Sequence, residues 1–243
     1  MENNLTDRKF WQEYWKNYEY EKIPAKVPFK KFLPKLDGAG SFIEIGGFPG
    51  VFAAYFYKRG CKDVSLLDFY IDKSIVNKFE AVNDIPQGAI SCIESDFFKF
   101  ETDKKYDIVF SYGFIEHFED TKDVMERHTK LLNLKNVMGG GILLIILPNF
   151  RGLNGLIQYI FDRKNLRAHN LNSMKLSTLR NIATDLGLKN ISVEYSRKPM
   201  VWLEPAVGSK LLRRLVKLLS HFLKLFPIKC RWLSPYIIVY AER

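Results

Sequence analysis

The chain has 243 residues, 47% hydrophobic and 26% charged, the balance of an ordinary soluble globular protein and not of a disordered or fibrous one; the length suits one large domain with a real core. Its formal net charge of +10 is unevenly placed: residues 1–150 carry 20 Lys and Arg against 22 Asp and Glu, residues 151–176 carry 5 against 1, and residues 197–243 carry 10 against 2, so any anionic partner is expected at the back half. The start lacks the apolar core of a secretory leader, the apolar run Ile142 to Leu147 is far short of the roughly 20 residues that cross a bilayer, and Cys61, Cys92 and Cys230 show neither paired nor metal-ligand spacing, which predicts a cytoplasmic protein with no metal site.

In chain order, the first element is an aromatic segment, FWQEYWKNYEY, whose Phe10, Trp11, Tyr14, Trp15 and Tyr18 share one helical face, a pattern that core packing alone would explain. SFIEIG then reads as a strand, followed by a helix over Val51–Arg59. DVSLLDF is a second strand with a helix over Asp72–Val82, AISCIESD a third, and YDIVFSY a fourth with a long helix over Thr121–Leu134. GGILLIILP is a fifth strand, STLRNIATDLGL a helix, NISVEYS a sixth strand and PYIIVYAE the last. Strands alternating with helices at this spacing predict an α/β domain with a mostly parallel sheet. Two segments stand outside the alternation, residues 148–176 and 199–234. Ligands in open α/β sheets lie outside the carboxyl ends of the strands, so insertions that follow strands there are natural substrate covers.

The ends of four consecutive strands are polar. Glu44 ends the first, before a turn of Gly46, Gly47, Phe48, Pro49 and Gly50 that does not fit the dinucleotide fingerprint G-x-G-x-x-G and so disfavours a nicotinamide-dependent oxidoreductase. Asp68 ends the second strand, 22 positions after Gly46, the spacing at which a carboxylate can accept both hydroxyls of a ribose; capping the next helix is its structural alternative. Asp96 and Phe97 end the third strand, where a carboxylate and an apolar wall suit an adenine. Ser111, Tyr112 and Gly113, then Glu116 and His117, follow the fourth.

The order IEIGGFPG, LLDFY, ESDFF, YDIVFSYGFIEHF, GGGILLIILPN resembles class I S-adenosylmethionine-dependent methyltransferases over residues 38–196, with SPYIIVYAER as the antiparallel seventh strand of that fold. Within the class it is most similar to small-molecule enzymes of the quinone-methylase and glycan-associated type. The resemblance implies a Rossmann-like seven-stranded sheet with helices on both faces, in one domain: an N-terminal helical lid over residues 1–37, a cofactor-binding half over 38–147, and the two insertions as acceptor covers. It implies S-adenosylmethionine as cofactor, with Gly46, Gly47, Phe48 and Gly50 along the methionine moiety, Glu44 supporting it, Asp68 and Phe69 at the ribose, Asp96 and Phe97 at the adenine, and Ser111, Tyr112 and Gly113 beneath the sulfonium. The family's usual E-x-G-x-G-x-G has Phe48 where its middle glycine stands, which either crowds the cofactor or points Phe48 outward.

His117 is a candidate general base for a substrate hydroxyl, or a brace for the following helix. His169, in the first insertion, is a second candidate base or an exposed loop residue. Methyl transfer from a sulfonium is an in-line displacement, so positioning can suffice without either. In residues 208–226, Leu211, Leu215, Leu218, Phe222 and Leu225 form an apolar stripe opposite Lys210, Arg213, Arg214, Lys217 and Lys224; such a helix lies on an anionic membrane surface or packs on its own domain or a second subunit. No nucleic-acid motif is present. The expected activity is O-methylation of a small-molecule or lipid- or glycan-linked acceptor; the alternative is a non-catalytic module of the same fold that binds a membrane or partner.

Overall fold

The computed structural model describes residues 8–15, 22–134, 139–196, 198–204 and 207–243. Tyr18 and the side chains of Phe10 and Tyr14 lie outside the described residues. Helices α1 (Arg8–Trp15) and α2 (Leu33–Leu36) precede strand β1 (Ser41–Ile45), followed by α3 (Val51–Lys58), β2 (Asp63–Asp68), α4 (Lys73–Val82), β3 (Ile90–Glu94) and β4 (Ile108–Tyr112). A short 3-10 turn, Ile115–His117, leads to α5 (Thr121–Lys130) and β5 (Ile142–Pro148); then come α6 (Leu153–Phe161), α7 (Arg163–Arg167), α8 (Leu176–Asp185), β6 (Lys189–Ser196), α9 (Lys210–Leu223) and β7 (Tyr236–Glu242).

The seven strands form one sheet in the order β3-β2-β1-β4-β5-β7-β6. The first five pair in parallel, and β7 runs antiparallel to both neighbours, the Rossmann-like arrangement expected. Both faces are covered, so the central strands are apolar throughout and sort their side chains by alternation. In β5, Ile142, Leu144 and Ile146 join the core under α3, while Leu143, Ile145 and Leu147 join the core that holds Val124, Met125 and Leu179 of α5 and α8.

Two elements differ from the sequence reading. Helix α5 stops at Lys130 instead of Leu134, because the Leu131 carbonyl accepts the Tyr106 N–H at 2.8 Å and the Asn133 N–H donates to Tyr106 O at 3.0 Å. These bonds draw the chain alongside the start of β4 and bury Leu132. In α9, the apolar stripe does not pack on its own domain. Leu211, Leu215, Leu218, Phe222 and Leu225 are 55% to 75% exposed, and the helix docks instead through Val216, Ser220 and Leu223, which meet Ile157 of α6 and Val201 in a small satellite core.

The β1–α3 junction is built around one carboxylate. Gly50 is the N-cap of α3 and has no side chain to offer, with φ at +97°. Glu44 takes the capping role from within the sheet, accepting the N–H groups of Phe52 at 3.1 Å and Ala53 at 2.7 Å, two of the four donors that a helix start leaves unpaired. Gly47 is required by the same contact, since a Cβ there would lie 2.2 Å from the Glu44 carboxylate. Burial raises the Glu44 carboxyl to about 8, against the pull of those two backbone donors. A folded-state value above the ordinary 4.5 means that Glu44 stabilises the fold fully below pH 4.5 and loses that contribution as pH rises toward 8. We therefore expect wild type to lose about 2 kcal/mol more than the Glu44→Gln variant between about pH 6 and 7.5, at 1.36 kcal/mol per proton and pH unit, in urea unfolding; parallel curves would show Glu44 ionised throughout.

Candidate active site

The glycine turn, the ends of β2 and β4 and the turn after β3 meet at the carboxyl edge of the sheet, where they line one cleft with Trp11 and Trp15 of α1. Gly46 reaches the cleft floor at φ +65°. A side chain there would strike the Phe114 ring, 2.0 Å from the Cβ position, so this glycine is a close approach and not merely a bend. Asp68 stands across the turn. Its carboxylate accepts the N–H groups of Phe48 at 3.0 Å and Tyr70 at 3.2 Å, and burial lifts its carboxyl to about 6 against those donors. Phe69, Asp96, Phe97 and Gly113 complete the predicted set that lines the cleft, with Phe114, His117 and Phe118 on the far wall. Asp96 accepts the N–H of Phe98 at 2.9 Å, which fixes its turn, and Phe97 packs edge-on against Phe114 at 5.3 Å.

The remaining predicted cofactor residues stand behind this surface. Glu44 and Gly50 hold α3, and Gly47 makes room for Glu44. Phe48 does not point outward: it is 3% exposed, with its ring edge-on to Trp15 at 5.2 Å and Tyr70 at 5.9 Å. The ring lies outside the cleft lining, so the turn carries a large side chain by turning it into the core. Ser111 is fully buried and bonded to His128 Nε2 at 3.1 Å, while Tyr112 stacks between Phe52 and Tyr236. Alternation along β4 explains both, since Gly113 is the first residue past the strand. No described residue of the second insertion, 199–234, lines the cleft.

The two candidate bases come together. His117 is buried on the cleft wall, with Trp11 edge-on at 5.4 Å, and His169 of the first insertion lies against it with ring centroids 4.6 Å apart. Burial lowers His117 to about 3, helped by His169, so its imidazole is neutral and weakly basic. Burial lowers His169 as well. Sequence reasoning placed Glu116 beside His117 but gave it no role. It is 1% exposed, no other described residue donates a hydrogen bond to either carboxylate oxygen, and burial raises the carboxyl to about 8 against the pull of its own backbone N–H. The available signal was a carboxylate and an imidazole adjacent at the end of a strand whose neighbours all end in polar groups.

A family model described as "Methyltransferase domain" matches residues 14–193. Among solved structures, a SAM-dependent methyltransferase from Archaeoglobus fulgidus is 18% identical over 88% of this chain and 90% of its own, with a TM-score of 0.56. A possible histamine N-methyltransferase from Thermotoga maritima is 11% identical over 96% of each chain at 0.55, and the N-methyltransferase NodS from Bradyrhizobium japonicum, in complex with S-adenosyl-L-homocysteine, is 13% identical over 100% and 95% at 0.52. These likenesses are of fold. No curated protein matches this sequence. With the domain match spanning most of the chain and ending at β6, the chain belongs to the methyltransferase-domain family.

Proposed function

We propose that this protein transfers the methyl group of S-adenosylmethionine to an oxygen of a small or lipid-linked acceptor. The observation that carries the reading is the convergence of Gly46, Asp68, Asp96 and Phe97 on one cleft at the carboxyl edge of the sheet. The donor set fits the cofactor: Gly46 allows close backbone approach, Asp68 is placed to accept ribose hydroxyls, and Phe97 offers an apolar face to the base. When bound, the cofactor supplies a sulfonium-activated methyl group whose carbon is open to in-line displacement. Phe114, Phe118 and Trp11 wall the cleft and exclude water from the reacting atoms. Phe48, the one feature that favoured a non-catalytic module, lies outside the cleft.

The cleft encloses about 60 Å³, room for roughly four water molecules at 10–15 Å³ each. An adenosyl group needs far more. We infer that α1 is a lid, and that Trp11 and Trp15 move outward to admit the cofactor. The NodS and plantazolicin methyltransferase structures hold S-adenosylhomocysteine, which supports the choice of ligand.

The outward face of α9 supports an amphipathic acceptor. Its exposed leucines and Phe222 are flanked by Lys210, Arg213, Arg214 and Lys217, and α6 also turns Leu156, Tyr159 and Ile160 outward. An apolar face with a basic border suits an anionic lipid surface. A second copy laid on the same face would bring like charges together. No described helix is long and apolar enough to cross a membrane, so the contact is peripheral.

Calorimetric titration of Asp68→Asn with S-adenosylhomocysteine is expected to show at least a tenfold loss of affinity with an unchanged circular dichroism spectrum; wild-type affinity in the variant would remove the ribose assignment. Wild type is expected to co-sediment with vesicles containing anionic phospholipid, less so at high salt. The Leu215→Asp/Leu218→Asp double variant should lose at least tenfold in vesicle affinity while keeping S-adenosylhomocysteine binding. Equal sedimentation of the two proteins would overturn the lipid-surface reading.

A further inference from the structure

Glu116, His117 and His169 each present one donor atom, and the three atoms lie within 4.8 Å of one another. Both rings have their tautomer set by the backbone. His117 Nδ1 is 3.0 Å from the Ala168 carbonyl oxygen and His169 Nδ1 is 2.6 Å from the Asn165 carbonyl oxygen. A carbonyl oxygen only accepts, so each Nδ1 carries the hydrogen and each Nε2 keeps a lone pair. That is the arrangement by which metal-binding histidines are oriented. The third donor is the Glu116 carboxylate, buried and met by no hydrogen-bond donor of any other described residue. A buried carboxylate with so little donor support is costly to maintain ionised unless a cation or a proton fills the gap.

The juxtaposition is built and held. His117 and His169 are 52 positions apart in sequence, and the next residue, Asn170, fastens the insertion to the segment that carries Glu116. The Asn170 N–H donates to the Glu116 carbonyl at 2.6 Å, and its Nδ2 donates to the carbonyls of Phe118 at 3.0 Å and Glu119 at 2.9 Å. Asn172 N–H and the Ser173 hydroxyl then close the loop back onto Asn170 at 2.9 and 2.6 Å. Five hydrogen bonds thus set His169 beside His117, on the wall of the cleft.

We propose that Glu116, His117 and His169 bind one divalent cation of the zinc type, and that this ion holds the acceptor's hydroxyl oxygen for methylation. Two imidazole nitrogens and one carboxylate oxygen favour borderline ions such as Zn²⁺ or Co²⁺ over Mg²⁺, which prefers oxygen donors and retained water. Three protein ligands leave a coordination position open, as in catalytic zinc sites. A metal–donor distance of about 2.1 Å brings tetrahedral donors to about 3.4 Å apart, a closure of up to about 1.4 Å from the present 4.8 Å that side-chain rotation supplies. The ion's role rests on the methyl-transfer reading. The hydroxyl gives its proton to solvent as it binds the ion, before the cleft closes; its oxygen then forms the new bond to the methyl carbon, and the carbon–sulfur bond breaks with its electron pair left on sulfur. An oxygen held as alkoxide or phenoxide by the ion needs no strong protein base, which suits an imidazole that burial has made weakly basic. The cysteine spacing that predicted no metal site is silent about this histidine and carboxylate set.

The test is a titration of the chelator-stripped full chain with Co²⁺, followed by its visible absorption, with metal counted after dialysis and S-adenosylhomocysteine binding measured on the same preparation. One Co²⁺ per chain, displaced by Zn²⁺, is expected. Glu116→Gln and His169→Ala are each expected to weaken Co²⁺ by at least tenfold and to leave S-adenosylhomocysteine affinity within about threefold, since neither residue lines the cleft. A wild-type chain that binds S-adenosylhomocysteine but no Co²⁺ or Zn²⁺ overturns the metal site, a result that needs no variant to fold. Binding of Mg²⁺ alone, or wild-type Co²⁺ affinity in both variants, overturns the ligand assignment. Co²⁺ binding without S-adenosylhomocysteine binding would uphold the metal site and remove the methyl-transfer reading instead.

Discussion

The cleft depends on a carboxylate that never reaches it. Glu44 sits within β1, and its contact with the first turn of α3 aligns that helix on the sheet. The glycine turn between them follows from this contact. Gly47 clears the carboxylate, Gly46 follows the carboxyl end of β1 and donates its N–H to Leu67 O at 2.8 Å, and the Phe48 N–H turns toward Asp68. The orphan N–H groups and the helix dipole draw the carboxyl toward its ionised form, and desolvation outweighs them and keeps it protonated up to about pH 8. The junction is a balance of those terms, and the placement of Asp68 follows from it.

Much of this was legible because parallel α/β sheets write themselves in sequence. Each strand is a short apolar run, and each ends at the same edge. The polar residues Asp68 and Asp96 therefore marked one surface before any contact was known. What failed was side-chain direction at the margins. Ser111 and Gly113 are two positions apart with one residue between them, yet one is inside the sheet and the other on the cleft. Alternation alone would put both on one face; the strand ends at Tyr112, and Gly113 at φ +66° has already left the pleat, a boundary that pattern alone cannot place to a single residue. Phe48 failed for a related reason: the turn's glycine pattern describes backbone and says nothing of where a ring in its middle will find contacts.

Helix α9 shows a different limit. Its apolar periodicity is genuine, but periodicity identifies a face without identifying what covers it. The side that docks carries Val216, Ser220 and Leu223, less apolar than the stripe it leaves in solvent. Ser220 is tolerated there because its hydroxyl accepts the Val201 N–H at 3.3 Å. A helix that buries its weaker face and exposes its stronger one is consistent with a second environment for the exposed side, and the positive charge of the back half gives that environment a sign.

The first insertion, which lines none of the cleft, and helix α1, which does, are fastened in different ways. The first insertion is bound to the Glu116–Glu119 segment through Asn170 by backbone-directed hydrogen bonds, and Phe150 N–H donates to Met174 Sδ at 3.2 Å behind it. Helix α1 meets the cleft through ring edges, Trp11 on His117 and Trp15 on Phe48, and ring-edge pairs of this kind contribute about 0.5–1.5 kcal/mol each beyond their burial. The Arg8–Glu94 ion pair adds an exposed contact to α1, whereas the Asn170 clamp is made of hydrogen bonds to backbone carbonyls. His117 lies between the two, so opening α1 uncovers one face of its imidazole while the other face stays held against His169. The His117–His169 pair is thereby held from the insertion's side whatever covers its other face.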